Sequence, residues 1–248
     1  MKHPRLIALL SLLLAPSLAG IASVQSADDV IEKHLAAIGG REALGKLTSR
    51  KAIGTVTFAT KEFTMSGPYE NYAKVPNKSR SYMKLDATAV VGAEMVIDQR
   101  FDGTDGWVLN SVQGDVPMAG NQLDNFRSGA FPTALLNYKQ LGIKAETLPR
   151  ETIDAKEYIV LAVTPKAGSP IKMYFDPETY LLMRSVTKIN SPTMGEFEQT
   201  NEPSDYRVID GVKVAFKLKN STDNQSLTII LTKVEHNVPI DDAMFTKK

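Results

Sequence analysis

The feature that most restricts the fold of this chain is a repeated alternation of apolar and polar residues. In the stretch DYRVIDGVKVAFKLKN at 205–220, every second residue after the Asp-Gly pair is apolar: Val212, Val214, Phe216 and Leu218. Successive side chains of a strand point to opposite faces, so this segment predicts a strand with one apolar and one polar face. The Asp-Gly pair favours a tight hairpin before it.

Two series of such segments cover most of the chain. The first predicted series is 51–58, 62–75, 79–87, 90–101 and 106–112, and the second is 143–153, 156–164, 170–175, 180–190, 194–208, 212–220 and 225–237. Turn-forming segments such as KAGSP, DPET and STDN separate consecutive strands, and this order favours antiparallel meanders over βαβ units. We therefore predict an α+β fold, mainly antiparallel β, with about 11 to 12 strands in a large curved sheet and helices against one face.

Helical patterns occur near both ends of this strand-rich region. Asp28 and Asp29 are candidate N-caps for VIEKHLAAI, and the pair Gly39-Gly40 predicts the end of that helix. The following REALGKL adds about two further turns. At the other end, PIDDAMF predicts a final helical turn held by Met244 and Phe245.

A long excursion separates the two strand series. Between Val116 and Gly142, the segments MAGNQLDNFRSG and FPTALLNYKQLG each predict a short helix, and Pro132 suits a first helical position. A hairpin needs only a few residues, and longer excursions are often lids or binding loops. We therefore predict a lid insert at about 117–141.

The first 26 residues have the form of a secretory signal peptide. Lys2 and Arg5 precede an apolar run at 6–14, and small residues follow. Cleavage is possible after Ala22 or after Ser26, and the pattern favours Ser26. The alternative, an uncleaved membrane anchor, is disfavoured because the apolar run is short for a membrane span and Pro16 interrupts it. We predict one domain at 27–248, exported to the periplasm.

Composition excludes several classes of function. The chain has no cysteine, which excludes disulfides, thiol nucleophiles, cysteine-based metal sites and a lipoprotein anchor at the cleavage point. Removing Lys2 and Arg5 leaves 27 basic residues against 28 acidic ones, so the exported chain is near neutral. A near-neutral chain has no basic surface typical of nucleic-acid binding.

Signals for catalysis, metals or cofactors are weak. His34 and His236 remain after the signal peptide, and neither lies near a catalytic motif. The chain has no GxSxG, HExxH, P-loop or GxGxxG pattern. DGTDG at 102–106 supplies too few ligands for calcium and suits a hairpin. We predict no enzyme activity, no cofactor and no metal site, although an enzyme with an unfamiliar carboxylate site stays open.

The strand parities group apolar side chains, many of them methionines, on one face of the sheet. Glu94, Asp98 and Arg100 fall on the opposite face, which predicts a polar exterior. Methionine is flexible and polarisable, and adaptable binding surfaces use it heavily, although methionine also fills gaps in ordinary cores. The predicted inward methionines are Met65, Met83, Met95, Met173 and Met183.

The order of several phrases resembles a known family. The phrases are AAIGGREALGKL, FDGTDGWVLN, MYFDPETYLLMRSV and DYRVIDGVKVAFKL, with the helical insert between the second and third. This order resembles the bacterial periplasmic Lol-type carriers of outer-membrane lipoproteins and their LppX-like relatives. The resemblance implies an incomplete, strongly curved β-barrel whose N-terminal helix and helical insert cover an apolar cavity on the concave face.

The resemblance also implies a carrier or binding protein for lipid or the acyl chains of lipoproteins, with possible donor and acceptor proteins in the inner and outer membranes. The alternatives are an envelope sensor module that binds a protein partner and no lipid, and a barrel filled by its own side chains. Trp107 either lines the mouth of the groove or anchors its hairpin. The predicted ligand-binding residues are Phe63, Met65, Met83, Met95, Ile97, Phe101, Trp107, Phe126, Phe131, Leu135, Met173 and Phe175.

Overall fold

A computed structural model describes residues 25–191 and 195–247. All strands in these two ranges belong to one antiparallel sheet of 13 strands. They are β1 (Ser49–Thr60), β2 (Thr64–Lys74), β3 (Lys78–Ala87), β4 (Ala93–Phe101), β5 (Gly106–Asn110), β6 (Val116–Pro117), β7 (Lys144–Ile153), β8 (Lys156–Thr164), β9 (Ile171–Phe175), β10 (Leu182–Ser191), β11 (Gly195–Ile209), β12 (Val212–Ser221) and β13 (Gln225–His236). The predicted signal peptide lies outside the described residues, except for Gln25 and Ser26.

The sheet is two meanders joined in the middle. The order is β6-β5-β4-β3-β2-β1-β13-β12-β11-β10-β9-β8-β7, so the first and last strands of the chain pair with each other. The free edges β6 and β7 are the two strands that flank the insert. The insert therefore joins the two edges of an open sheet, which is the incomplete curved barrel that the sequence predicted, with one short strand more than expected.

A glycine allows a close approach at the β1–β13 junction. The register shifts between Ile53 and Gly54, which marks a bulge. A Cβ atom on Gly54 would lie 2.1 Å from the carbonyl oxygen of Ile230. Because no side chain fits there, the backbone of β13 approaches this position more closely than a side chain would allow.

The helices are α1 (Ala27–Ala37), α2 (Gly40–Gly45), α3 (Thr88–Val91) and α4 (Gly120–Arg127), with 3₁₀ turns at Ala134–Asn137 and Asp242–Met244. Ser26 caps α1 by accepting a hydrogen bond from the backbone N–H of Asp29, at 3.1 Å. The prediction of Asp28 or Asp29 as the cap was wrong; both lie in the first turn, where their charge suits the helix dipole. A cut after Ser26 would remove this cap, whereas a cut after Ala22 would keep it.

Three further boundaries differ from the sequence prediction. Residues 88–91 are helical, and the strand predicted from residue 90 begins at Ala93, after the left-handed Gly92. FPTALLNYKQLG forms only a 3₁₀ turn, which Thr133 caps through the backbone N–H of Leu135. Pro132 precedes this cap and is not the first helical residue. Val116–Pro117, which was not predicted as a strand, pairs with β5.

Two apolar clusters form the core. The first packs α1 against β8 and β9, with Ile31, Leu35, Leu161 and Phe175 fully shielded from solvent. The second joins β1, β2, β3, β12 and β13 through Val56, Met65, Leu85, Phe216 and Ile229. Phe216 belongs to this second cluster and is only 3% exposed.

Strand parity predicted that the convex face is polar and exposed to solvent. Part of this face is instead covered. Asp98 and Arg100 are each only 5% exposed, because the C-terminal segment crosses this face. Arg80 and Arg100 both donate to Asp98, at distances from 2.6 to 3.1 Å, and Arg100 Nη1 also donates to the carbonyl of Thr246 at 2.8 Å. Burial would raise the pKa of Asp98, but the arginine hydrogen bonds outweigh it and lower the pKa.

Candidate ligand-binding cavities

Four adjoining cavities lie on the concave face within the described part of the chain. We name them after one lining residue each. The Arg50 cavity has a volume of about 240 Å³, the Phe126 cavity about 300 Å³, the Met173 cavity about 380 Å³ and the Met83 cavity about 480 Å³. These volumes lie near or within the usual range for small-molecule sites, roughly 300 to 1,000 Å³.

Shared walls connect the four cavities. Tyr69 lines both the Arg50 and the Met83 cavity, and Gln199 and Asn220 line both the Met83 and the Met173 cavity. Phe131 and Pro132, in the insert, form a wall common to the Arg50 and Phe126 cavities. The cavities are therefore compartments of one interior between the sheet and the insert.

The structure brings half of the predicted ligand-binding residues to these cavities. Met83 and Ile97 come from neighbouring strands, where they are cross-strand partners, and line the Met83 cavity. Leu135 and Met173 line the Met173 cavity, and Phe126 and Phe131 line the Phe126 cavity.

The other predicted residues lie elsewhere. Phe101 and Phe175 are fully buried, Met65 is 6% exposed, and these three line none of the four cavities. Phe63 and Met95 are partly buried against the second core cluster. Trp107 is the cross-strand partner of Arg100, so it shares the convex face.

Arg50 is the main functional candidate that sequence reasoning missed. It is an inward residue near the start of β1, which begins at Ser49, two residues earlier than we predicted. Its Nε is buried and has no hydrogen-bond partner among the described residues, and its Nη2 reaches Asn71 Oδ1 only at 3.4 Å. The guanidinium carbon lies 5.7 Å from the centre of the Phe131 ring. Burial lowers the pKa of Arg50, and Tyr69 partly offsets this effect.

His236 faces Arg50 across the β1–β13 pair. Its side chain is only 1% exposed and lines the Arg50 cavity. Nδ1 lies 3.3 Å from Asp210 Oδ2, which can accept only if this nitrogen carries the proton. Burial lowers the pKa of His236; Asp210 acts in the opposite direction, and Arg50 lowers it further.

Polar side chains form part of the cavity walls. Asn201 and Asn220 are cross-strand partners, and Gln199 is the cross-strand partner of Thr187. Together with Ser185 they line the Met173 cavity beside Ile171 and Met173, which are the cross-strand partners of Thr187 and Ser185. The interior is thus partly apolar and partly amide-lined, a mixture that the alternation of strand residues did not reveal.

Comparison with known proteins gives matches only among solved structures. No family model matches the chain, and no curated protein does. A LolA superfamily protein, NE2245 from Nitrosomonas europaea, superposes with a TM-score of 0.56 at 15% identity, covering 90% of this chain and 98% of that chain. The chain has the LolA-like fold.

Two further structures have the same fold. A DUF1329 family protein from Desulfovibrio piger matches with a TM-score of 0.55 at 14% identity, covering 89% of this chain and 97% of that chain. A domain assigned to outer membrane lipoprotein sorting, from Vibrio parahaemolyticus, has a TM-score of 0.53 at 12% identity, covering 88% and 94%. At these identities the LolA-like likeness describes the fold alone.

Within 25–191 and 195–247, no cluster of three or more His, Asp or Glu side chains is arranged to hold a metal ion. No helix in these same ranges is both long and apolar enough to cross a membrane.

Proposed function

We propose that this protein is a periplasmic carrier or binding protein for lipid or for the acyl chains of lipoproteins. The observation that carries the proposal is the set of adjoining cavities between a LolA-like sheet and the insert that joins its two edges. Membrane donor and acceptor proteins would be the partners of such a carrier. The proposal includes neither enzyme activity nor a cofactor.

Burial of acyl chains would supply the binding energy. Each methylene group transferred from water to an apolar site contributes about 0.8 kcal/mol. A chain of about ten buried methylenes would therefore gain about 8 kcal/mol before the cost of immobilising it. Met83, Ile97 and Phe58 offer such a surface in the Met83 cavity.

The part of the insert suited to act as a lid is shorter than predicted. None of the eight residues of α4 is fully buried. Its links to the second meander include Asn125 Oδ1, which accepts from the Ser169 backbone N–H at 2.8 Å, and Ser128 Oγ, which donates to the Ala167 carbonyl. By contrast, Leu135, Tyr138 and Ile143 belong to the first core cluster. We assign the moving part to about residues 119–130 and a fixed role to the remainder.

A pair of matched substitutions tests the proposal. Met173→Asp places a charge in the Met173 cavity, whereas Val208→Asp places the same charge at a position that is 64% exposed. We expect Met173→Asp to weaken uptake of a fluorescent fatty acid at least about tenfold, since a buried unpaired charge opposes an apolar ligand. Val208→Asp should bind as the unmodified protein does.

Thermal unfolding of both variants distinguishes the cavity from the core. A Met173→Asp variant that remains folded but fails to bind supports the proposal. A parallel loss of folding and binding would identify Met173 as an ordinary core residue, and Met83→Asp then repeats the test in the larger cavity. If both folded variants bind the probe normally, these cavities do not hold the lipid.

The sensor alternative uses the same fold without lipid. It requires a protein ligand, so it predicts that the purified protein takes up no fatty-acid probe. The cavity volumes given above support the carrier over the filled-barrel alternative, which likewise predicts no uptake of the probe.

A further inference from the structure

Arg50 presents an unusual charge inside the interior. An arginine does not lose its proton at physiological pH, and a buried charge is costly unless it is paired. In the described part of the chain, no carboxylate forms an ion pair with Arg50, and its Nε has no hydrogen-bond partner. By comparison, the buried Arg100 donates to Asp98 through both Nε and Nη2.

The groups around Arg50 are hydrogen-bonding but uncharged or weakly basic. Asn71 lies beside it at 3.4 Å, Tyr69 is close enough to influence its pKa, and His236 is its cross-strand partner. The nearby carboxylate of Asp210 interacts with His236 and is 63% exposed. This part of the cavity therefore carries a net positive charge that the protein itself does not neutralise.

Apolar surface continues from this charged group in one direction. Leu44, Leu218 and Leu231 line the Arg50 cavity. Tyr69 forms the wall shared with the Met83 cavity, where Phe58, Met83, Ile97 and Leu227 provide further apolar surface. The interior thus pairs a cationic end with an apolar extension, which matches an acyl chain that carries an acidic head.

We propose that Arg50, positioned by Asn71, binds the oxyanion of an acidic acyl lipid, a carboxylate or a phosphate, while the chain extends past Tyr69 into the Met83 cavity. This inference rests on the proposed function and adds the class of lipid. A guanidinium suits this role because its planar donors match two oxygens of a carboxylate or phosphate. A neutral lipid of equal chain length makes no such contact and binds more weakly.

Four lipids of matched chain length test the inference with the full exported protein. They are a saturated fatty acid, a lysophosphatidate, the fatty alcohol and a lysophosphatidylcholine, each measured by displacement of the same fluorescent probe. We expect one or both of the lipids with an unshielded acidic head to bind about 10- to 100-fold more tightly than the fatty alcohol. The two acidic lipids distinguish a carboxylate from a phosphate head.

Arg50→Met should remove this preference, and Arg50→Lys should restore part of it. The matched control is Arg184→Met. Like Arg50, Arg184 has a buried Nε without a hydrogen-bond partner among the described residues. Unlike Arg50, it is the cross-strand partner of the convex residue Tyr174 and lies 3.6 Å from Glu202. The ligand-free Arg50→Met protein should unfold at the same temperature as the unmodified protein or higher, since it loses an unpaired, partly buried charge. A lower unfolding temperature would indicate that Arg50 serves the fold.

The outcomes separate the two proposals. Equal binding of the fatty acid, the lysophosphatidate and the fatty alcohol, unchanged in Arg50→Met, overturns the acidic-head inference and leaves the carrier function standing. No binding of any lipid overturns the carrier function itself.

Discussion

We predict that Phe126 controls ligand uptake, because its ring holds the proposed lid, residues 119–130, against the sheet. Its ring lies 5.5 Å from the ring of Phe101, at the end of β4, and forms part of the wall of the Phe126 cavity. Phe126→Ala removes this contact while leaving the hydrogen bonds of Asn125 and Ser128 in place. If residues 119–130 must leave the sheet before a ligand enters, the variant should open more often.

The magnitude follows from the lost contact. Partial burial of a phenylalanine side chain contributes about 1 to 2 kcal/mol, and an aromatic pair adds about 0.5 to 1.5 kcal/mol. A loss of about 1.5 to 3.5 kcal/mol raises the population of the open state about 10- to 300-fold. The same factor should appear in faster hydrogen exchange at residues 119–130 and in the stopped-flow rate of fatty-acid uptake.

Phe63→Ala is the matched control. Phe63 makes a similar aromatic contact with Phe58, with ring centres 6.1 Å apart, but it lies at the β1–β2 turn and outside the insert. This variant should lose comparable stability without faster uptake. Faster exchange at 119–130 in Phe126→Ala with an unchanged rate of uptake would refute the assignment of this segment as the lid.

Three further predictions concern stability. Asp98→Asn leaves the partly buried Arg80 and the buried Arg100 without their carboxylate. It should lower the free energy of unfolding, measured by urea titration, by about 3 to 5 kcal/mol. A loss under about 1 kcal/mol would contradict this role of Asp98. His34 is buried, and its Nδ1 donates to the Tyr180 carbonyl at 2.9 Å. Burial lowers the pKa of His34 in the folded protein, so the unfolded chain binds more protons. Stability should therefore fall as the pH drops below about 6.5. His34→Gln should reduce this fall between pH 7.5 and 5.5, and an identical pH dependence would contradict the assignment. Gly54→Ala should lower the free energy of unfolding by about 1 to 3 kcal/mol, because the new Cβ meets the Ile230 carbonyl. Gly45→Ala in α2, with open space around it, should be neutral or slightly stabilising in the same urea titrations. Equal effects of the two substitutions would be inconsistent with the close approach at Gly54.

Local signals account for the parts of the fold that the sequence predicted. Strands and hairpins follow from period-two alternation and from turn residues such as those at 176–179 and 210–211, so the order of the meanders was predictable. The pairing of β1 with β13 depends on contacts almost two hundred residues apart, and local patterns carry no such information. The α1 cap was missed because three polar residues within four positions could each serve as N-cap. They are Ser26, Asp28 and Asp29.

The candidate site was less predictable than the fold. Parity identified Met83, Ile97 and Met173 as inward residues, but it could not distinguish a cavity wall from a filled core, as Phe175 illustrates. Arg50 was missed because it precedes the first apolar run of β1. Asp98 was assigned to solvent because nothing in the alternation shows that residues near Phe245 cross the convex face.

Native mass spectrometry of the mature protein, purified from its own cell envelope and then extracted with organic solvent, tests the central claim most directly. The account predicts a bound mass that is released as lipid on extraction, with an acyl chain and an acidic head. A ligand-free mass, combined with no displacement of the fluorescent fatty acid, would contradict the carrier function.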